Sequence, residues 1–292
     1  MGLLTVVCAT LAVACGKTDF RADVRVVRTA GTSIAWYERG SGPPLVLLTG
    51  TGSTMAEWDP ALLRLLARSH RLILFDYPAV GRSGTWRGRS FDSLADTTAA
   101  FMRAVGLRRA DALGCIGSFV AQRLAVRHPG LVSHLILAGT NPGGDETVLG
   151  SKRAQRIDSE PHPSDREILK LLYPAGAQPE GGAFLTRLDR ASEDGEIPDD
   201  FHVPAATTDA QVAAEDPWLR SNANYRDLGT LIVPTLAAAG AADPVVPPVN
   251  LRRIARRVPG ARLAIFPGAH AFLFESRRSF ARAVDEFLRL RR

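Results

Sequence analysis

Short apolar runs alternate with longer amphipathic segments along most of the chain. Runs that are apolar throughout suit strands buried on both faces, whereas apolar positions three and four residues apart indicate helices. The predicted strands are 24–27, 33–38, 45–48, 72–75, 111–113, 135–138, 235–239 and 262–266. The predicted helices are 60–68, 91–105, 118–128, 249–258 and 276–289. This alternation predicts an α/β fold in which a mostly parallel, twisted sheet carries helices on both faces.

The alternation lapses between residues 141 and 228. This stretch holds several prolines and glycines and many acidic residues, with weak helical patches at 167–172 and 182–188. We interpret 141–228 as a helical cap (lid) inserted over the carboxyl edge of the sheet, where open α/β sheets bind ligands. The predicted core then comprises 23–140 and 229–292. We expect an apolar site under the cap, lined by Leu171, Leu172, Phe184 and Trp218.

The charge balance raises the question of a nucleic-acid partner, because the chain of 292 residues has a formal net charge of +6. Its arginines, however, recur at helical spacing, as at Arg252, Arg253, Arg256 and Arg257. Such spacing is typical of solvated helix faces, and neither a nucleic-acid motif nor a basic and aromatic stripe accompanies it. The predicted partner is therefore a small-molecule substrate and not nucleic acid. The sequence leaves the oligomeric state open.

The N-terminal segment, residues 1–22, does not continue the pattern of the core. Residues 2–14 carry no charged side chain and are too short to span a bilayer, which is typical of the apolar part of a secretory signal. The end of this run, Leu11-Ala12-Val13-Ala14-Cys15, resembles a bacterial lipoprotein processing site. No Lys or Arg precedes it, and its leucine stands one place early. Two interpretations follow: a protein of the cell envelope anchored through a lipid on Cys15, or a cytoplasmic protein with a frayed N-terminus.

The first candidate for chemistry is Cys115, which lies between a predicted strand and a predicted helix in Leu113-Gly114-Cys115-Ile116-Gly117. This stretch and the helix after it, 117–125, resemble the nucleophile elbow of the α/β-hydrolase family, written G-x-S-x-G. The helix is most similar to that of the cofactor-free haloperoxidase and esterase branch, and the resemblance covers nearly the whole chain from residue 24 onward. Counting back from the helix places Cys115 in the nucleophile position.

The register of this elbow leaves two interpretations open, because Leu113 stands where the family has a small residue. Either Cys115 replaces the serine, or the serine has been lost and Cys115 is its neighbour. Ser118 is a weaker candidate, since its neighbours Ile116 and Val120 are bulky and it falls inside the predicted helix. A cysteine is chemically coherent here, because a helix N-terminus and a nearby imidazole favour a thiolate.

Two further motifs supply the partners that such a nucleophile requires. Asp243 follows the predicted strand 235–239, within residues 240–247, and matches the acid of the family. His270 follows the strand 262–266 and matches the base-bearing loop. The order nucleophile, acid, base is the one this family uses. Asp145, after the preceding strand, remains an alternative acid because some relatives place it there.

The resemblance also implies an oxyanion hole built from two backbone N–H groups, those of Thr51 and Ile116. Thr49 departs from the family, which usually has a histidine there, but a backbone donor survives this change. No metal or organic cofactor is implied, since histidine and cysteine do not cluster at ligand spacing.

Together these residues predict a hydrolase of small ester, lactone or thioester bonds that works through an acyl-enzyme. Cys115 would be the nucleophile, His270 the base and Asp243 the residue that orients the base. The alternative is a protein of the same fold whose elbow is degenerate and whose pocket binds a ligand or partner without turnover.

Overall fold

The computed structural model describes residues 21–29, 31–115, 118–158, 164–173 and 176–290. Most of the predicted signal segment, with Cys15, and the predicted oxyanion donor Ile116 lie outside these ranges, so their roles stay predictions. No helix within the described ranges is long and apolar enough to cross a membrane.

Within the described residues, eight strands form one sheet in the order β1-β2-β4-β3-β5-β6-β7-β8. The strands are β1 Arg25–Thr29, β2 Thr32–Arg39, β3 Pro44–Leu48, β4 Arg71–Phe75, β5 Ala110–Gly114, β6 Val132–Ala138, β7 Thr235–Gly240 and β8 Arg262–Phe266. β2 pairs antiparallel with β1 and β4, whereas the pairs from β4 across to β8 are parallel. The predicted mostly parallel sheet is confirmed.

Both faces of the central strands are buried. In β3, Leu45 and Leu47 enter one apolar cluster while Val46 and Leu48 enter a second, and all four are fully buried. This alternation explains the continuous apolar runs of the sequence, since each parallel strand must satisfy a core on either side. Helices on either face of the sheet complete the two clusters. Residues of Pro60–Leu66, Phe272–Glu275 and Arg277–Leu288 join the Leu45 cluster, and residues of Phe91–Ala104, Phe119–Arg127 and Val249–Arg257 join the Val46 cluster.

The helices of the core flank the segment between β6 and β7. The core helices are α1 Pro60–Leu66, α2 Phe91–Ala104, α3 Phe119–Arg127, α9 Val249–Arg257, α10 Phe272–Glu275 and α11 Arg277–Leu288. The helices between β6 and β7 are α4 Lys152–Asp158, α5 Asp165–Leu172, α6 Gln178–Glu193, α7 Ala205–Leu219 and α8 Ala223–Leu228.

The segment between β6 and β7 is more helical than its sequence pattern predicts. The buried positions of α7 show why: Thr207, Gln211, Ala214 and Trp218 recur at helical spacing, but two of them are polar. A hydrophobic stripe is therefore hard to see in the sequence, although the helix has a buried face. Helix α7 forms because that face packs on the core rather than because its apolar residues repeat.

The side chains expected to line an apolar site under the segment belong to three apolar clusters. Leu171 lies in a small cluster with Ala154 and Ile157. Phe184 stacks on Phe274 on one side of the sheet, while Trp218 packs against Phe119 on the other. These side chains pack the segment onto the core, and the apolar site that they would share stays a prediction.

Candidate active site

The loops that follow β7 and β8 carry an aspartate and a histidine that are hydrogen-bonded to each other. β7 and β8 are parallel neighbours, so the two loops leave the sheet at the same edge. Nδ1 of His270 lies 2.8 Å from Oδ2 of Asp243, and both residues are buried. With the Nδ1 proton directed at the carboxylate, the imidazole lone pair is on Nε2. The structure thus brings together the predicted acid and base in the geometry that a general base requires.

Main-chain contacts fix both partners. The Oδ1 atom of Asp243 accepts the N–H groups of Val245 and Val246, each at 2.9 Å. The loop before His270 is held by Glu275, whose Oε1 accepts the Ala269 N–H at 2.8 Å. Burial raises the pKa of Glu275, an effect that this hydrogen bond opposes. These contacts leave the imidazole little freedom to turn away from Asp243.

Cys115 lies one residue past β5, at the same edge of the sheet. Its N–H donates to the carbonyl of Leu48 at 3.0 Å, which extends the ladder with β3. The residue is 7% exposed and belongs to the apolar cluster that contains Ala271 and Phe272, the two residues after His270. The cysteine and the histidine therefore belong to the same side of the sheet.

Tyr77 connects Cys115 to the loop that follows β3. Its hydroxyl donates a long hydrogen bond, 3.5 Å, to the carbonyl of Thr49, and it interacts with Ser118 and with Cys115. Burial raises the pKa of Tyr77, so the phenol stays protonated and serves as a neutral donor. The predicted nucleophile and the predicted oxyanion loop are thus neighbours.

The loop after β3 is covered by α7. Thr51 Oγ1 donates to Oε1 of Glu215 at 2.9 Å, and the Gly52 N–H donates to Oε1 of Gln211 at 2.7 Å. Gly52 has a φ of 69°, which an L side chain adopts only at a cost. Two residues of α7 thereby hold the backbone that the predicted oxyanion hole uses.

The fold, the edge of the sheet and the order of the three site residues can now be compared with known proteins. A family model described as the alpha/beta hydrolase fold matches residues 43–277. The chain belongs to the α/β-hydrolase family. The predicted family is confirmed, and membership in it supports the predicted assignment as a hydrolytic enzyme.

Individual relatives agree with this family assignment. The proposed carbamate hydrolase RutD of Azorhizobium caulinodans is 30% identical to this chain over 249 residues. The match covers 83% of this chain and 90% of the relative. A non-heme haloperoxidase of Rhodococcus erythropolis is 28% identical over 253 residues, with the same two coverages of 83% and 90%. This likeness confirms the predicted haloperoxidase branch.

A solved α/β-hydrolase-fold protein from Chitinophaga pinensis superposes with a TM-score of 0.81 at 21% identity. The match covers 94% of this chain and 99% of that chain. At this identity the likeness shows the fold, which agrees with the sheet order described above.

The predicted elbow around Cys115 differs from the G-x-S-x-G pattern in the position of its small residue. A Cβ placed on Gly114 would lie 2.7 Å from Cβ of Ala121 and 2.9 Å from Cβ of Ser118, so Gly114 is the small residue that lets α3 approach β5. Leu113, where the pattern expects a small residue, instead points into the opposite core and is fully buried. The close approach thus occurs one residue before Cys115 rather than two.

Ser118 is not inside the helix, as the sequence pattern predicted, but at its N-cap, one residue before α3. The hydroxyl is buried beside Tyr77 and does not cap the helix. The hydrophobic periodicity alone could not separate the cap from the first turn.

Asp145, the alternative acid, forms a different contact. Its Oδ2 accepts the side-chain amide of Asn222 at 2.8 Å, and its N–H donates to the Asn222 Oδ1. Since His270 is bonded to Asp243, the structure favours Asp243 as the partner of the base.

A histidine–aspartate bond does not by itself mark the site, because His134 Nδ1 also lies 2.8 Å from Oδ1 of the buried Asp111. Asp111 and His134 stand near the beginnings of β5 and β6, at the amino edge of the sheet. Open α/β sheets bind ligands at the carboxyl edge, so the pair Asp243 and His270 is the better candidate for the active site.

Sequence reasoning missed Tyr77, Gln211 and Glu215. Tyr77 lies in the loop after β4, where the sequence indicates only a structural role, and the two residues of α7 lie in the segment with the weakest pattern. Only the contacts with the loop after β3 reveal them.

Asp76 provides a pH-sensitive contact next to the site. Its Oδ1 accepts the Met55 N–H at 2.7 Å, and the residue is 2% exposed. Burial raises the pKa of Asp76 from 3.8 to about 7; the Met55 bond opposes the rise, and the charges of Asp200 and Glu57 add to it. The folded protein therefore holds this proton more tightly than the unfolded chain does.

From that difference, the contribution of Asp76 to the free energy of unfolding is expected to be fully present below about pH 4 and to be lost as the pH rises through about 7, a change of roughly 2 to 4 kcal/mol. Asp76→Asn should remove this fall, since an amide does not titrate. Urea unfolding of both proteins between pH 4 and pH 8 measures this pH dependence. Asp200→Asn is the matched control and should reduce the fall without abolishing it. An equal pH dependence in wild type and Asp76→Asn would contradict the assignment.

Proposed function

We propose that the chain hydrolyses small esters, lactones or thioesters through an acyl-enzyme on Cys115. The proposal is supported above all by the hydrogen bond between His270 and Asp243, with Cys115 at the same sheet edge and in the same buried cluster as the residues after His270. A nucleophile, a base and a group that orients the base are the parts that acyl transfer requires.

In the first half-reaction, Nε2 of His270 takes the thiol proton as the sulfur of Cys115 attacks the carbonyl carbon. The N–H groups of Thr51 and Ile116 stabilise the tetrahedral oxyanion. The bond to the leaving oxygen or sulfur then breaks, and the imidazolium returns its proton to that leaving group. Asp243 stabilises the imidazolium throughout and keeps its own charge.

In the second half-reaction, water attacks the thioester carbonyl and gives a proton to Nε2 of His270. The carbon–sulfur bond breaks, the carboxylic acid leaves, and the proton returns to the sulfur of Cys115. The segment 141–228 acts as a cap in this proposal, because α7 holds the loop with Thr51 through Gln211 and Glu215. A lipid anchor on Cys15 is a separate proposal that rests on the sequence alone.

One observation favours a second function, a binding protein of the hydrolase fold without turnover. The close approach of α3 occurs at Gly114, and in the G-x-S-x-G pattern the nucleophile stands two residues after its first glycine. Counted this way, the nucleophile position falls on Ile116, whose side chain cannot attack a carbonyl.

Alkylation of the thiol separates the two functions. Iodoacetamide is added in small excess to purified protein, peptide mapping follows Cys115, and a chromogenic short-chain ester reports turnover on the same samples. We expect alkylation of Cys115 and loss of turnover to proceed at one rate, because one sulfur serves both reactions. A Cys8→Ser, Cys15→Ser variant is the control and should behave like wild type. An inert Cys115 together with absent turnover would favour the binding protein.

A further inference from the structure

The face of α7 that covers the loop after β3 presents polar rather than apolar groups. Gln211 and Glu215 stand one helical turn apart, so both side chains reach the same side. Gln211 binds the Gly52 N–H and Glu215 binds the Thr51 hydroxyl, while the Thr207 hydroxyl donates to the carbonyl of Ala79 at 3.0 Å. The cap residues nearest the predicted oxyanion loop therefore form a polar surface.

The orientation of the Gln211 amide follows from its partner. Gly52 offers a donor, so the oxygen of the amide must face it and Nε2 must face elsewhere. Gln211 is 2% exposed, and its Nε2 has no hydrogen-bond partner among the described residues. A buried donor without a partner costs stability, and such groups occur where a ligand completes the site.

Thr49 supplies a second buried group of this kind on the same loop. Its hydroxyl has no hydrogen-bond partner within the described part of the chain, and the residue is 4% exposed. Its carbonyl accepts the hydroxyl of Tyr77, which in turn neighbours Cys115. One unsatisfied polar group thus belongs to the loop that carries Thr51, and the other belongs to α7, which contacts that loop at Gly52.

We propose that Gln211 Nε2 and the Thr49 hydroxyl bind a second, uncharged oxygen of the substrate, such as a hydroxyl or keto oxygen close to the scissile carbonyl. The donor of Gln211 requires an acceptor, which disfavours a cation. The carboxylate of Glu215, one turn away, disfavours an anion at the same place. The inference rests on the proposed function and narrows its substrates to esters or lactones with an oxygen-bearing acyl part instead of a plain alkyl chain.

Binding, rather than turnover, tests the subsite first. Dissociation constants of butanamide and 3-hydroxybutanamide are measured by ligand-detected NMR with wild-type protein. The hydroxyamide is expected to bind about tenfold more tightly, the effect of one good hydrogen bond to a buried donor. Equal binding of the two amides would overturn the inference, whatever the protein hydrolyses.

Two variants assign the preference to its residues. Gln211→Glu keeps an oxygen for the Gly52 N–H but lacks the donor, and Thr49→Val removes the hydroxyl at nearly constant volume. Each should reduce the preference for the hydroxyamide to about twofold or less, and thermal unfolding of both variants shows that they are still folded. Val212→Ala, at an exposed neighbour on α7, is the matched control and should keep the full preference. A preference that survives both substitutions would overturn the assignment to these groups.

Turnover then distinguishes the polar subsite from the proposed hydrolysis on which it rests. The p-nitrophenyl esters of butanoic and 3-hydroxybutanoic acid should show a kcat/KM ratio of about ten in favour of the hydroxy ester, lost in Gln211→Glu. If 3-hydroxybutanamide is preferred but neither ester is turned over, the proposed hydrolysis fails and the polar subsite stands. If both esters are hydrolysed equally well, the subsite fails and the hydrolysis stands.

Discussion

Cys115→Ala is expected to lower kcat/KM for a chromogenic short-chain ester by about 10⁴-fold or more, since removing the nucleophile of a catalytic unit leaves only binding and the oxyanion hole. Cys115→Ser keeps a hydroxyl in the same place and should retain activity well above that of the alanine variant. This graded series distinguishes a nucleophile from a thiol that only fills space, for which serine would be no better than alanine.

The measurement is steady-state kinetics on the wild type and both variants, with thermal unfolding alongside. Because Cys115 is buried, removing its sulfur leaves a small cavity that should lower the melting temperature, and the unfolding curve separates this loss of stability from the loss of rate. Unchanged kinetics in Cys115→Ala would exclude the sulfur as nucleophile and would favour another group near Tyr77, with Ser118 the first to examine.

Asp243→Asn is expected to lower kcat by about 10³- to 10⁴-fold, and His270→Ala by at least as much. The amide of asparagine can donate to Nδ1 and so favours the wrong tautomer of His270, which then carries its proton on the nitrogen that should receive one. The double variant should be scarcely slower than His270→Ala, because the two residues act as a unit.

His134→Asn is a matched control for these variants. It breaks a bond of the same length, 2.8 Å, between residues that are equally buried but lie at the amino edge of the sheet. We expect a lower melting temperature and a kcat within about twofold of wild type, since losing the bond to the buried Asp111 costs stability at the edge of the sheet away from the proposed site. If His134→Asn and His270→Ala lowered kcat equally, general destabilisation would explain both.

The sheet could be predicted because its signal is local. Every residue from Leu45 to Leu48 in β3 and from Leu72 to Phe75 in β4 is buried. A short run of apolar residues therefore predicts both the strand and its burial. The acid and the base could be predicted for a related reason: each follows such a strand directly, and parallel neighbours bring their carboxyl ends together.

The contacts across the site could not be predicted, because they depend on residues far apart in the chain. Gln211 lies 159 positions from Gly52, and Glu215 lies 164 positions from Thr51. The buried face of α7 includes Thr207 and Gln211, which a hydrophobic pattern counts as exposed. The same limit applies to the elbow, where only the packing of Gly114 against α3 shows which residue makes the close approach.

The most direct test of a covalent route through Cys115 is to trap its intermediate. Wild-type protein is mixed with excess p-nitrophenyl butanoate, quenched in acid within the first turnover, and digested for mass spectrometry. The account predicts a butanoyl group on the peptide that contains Cys115, absent from His270→Ala under the same quench. A butanoyl group on any other residue, or turnover of the ester with Cys115 unmodified at every quench time, would contradict it.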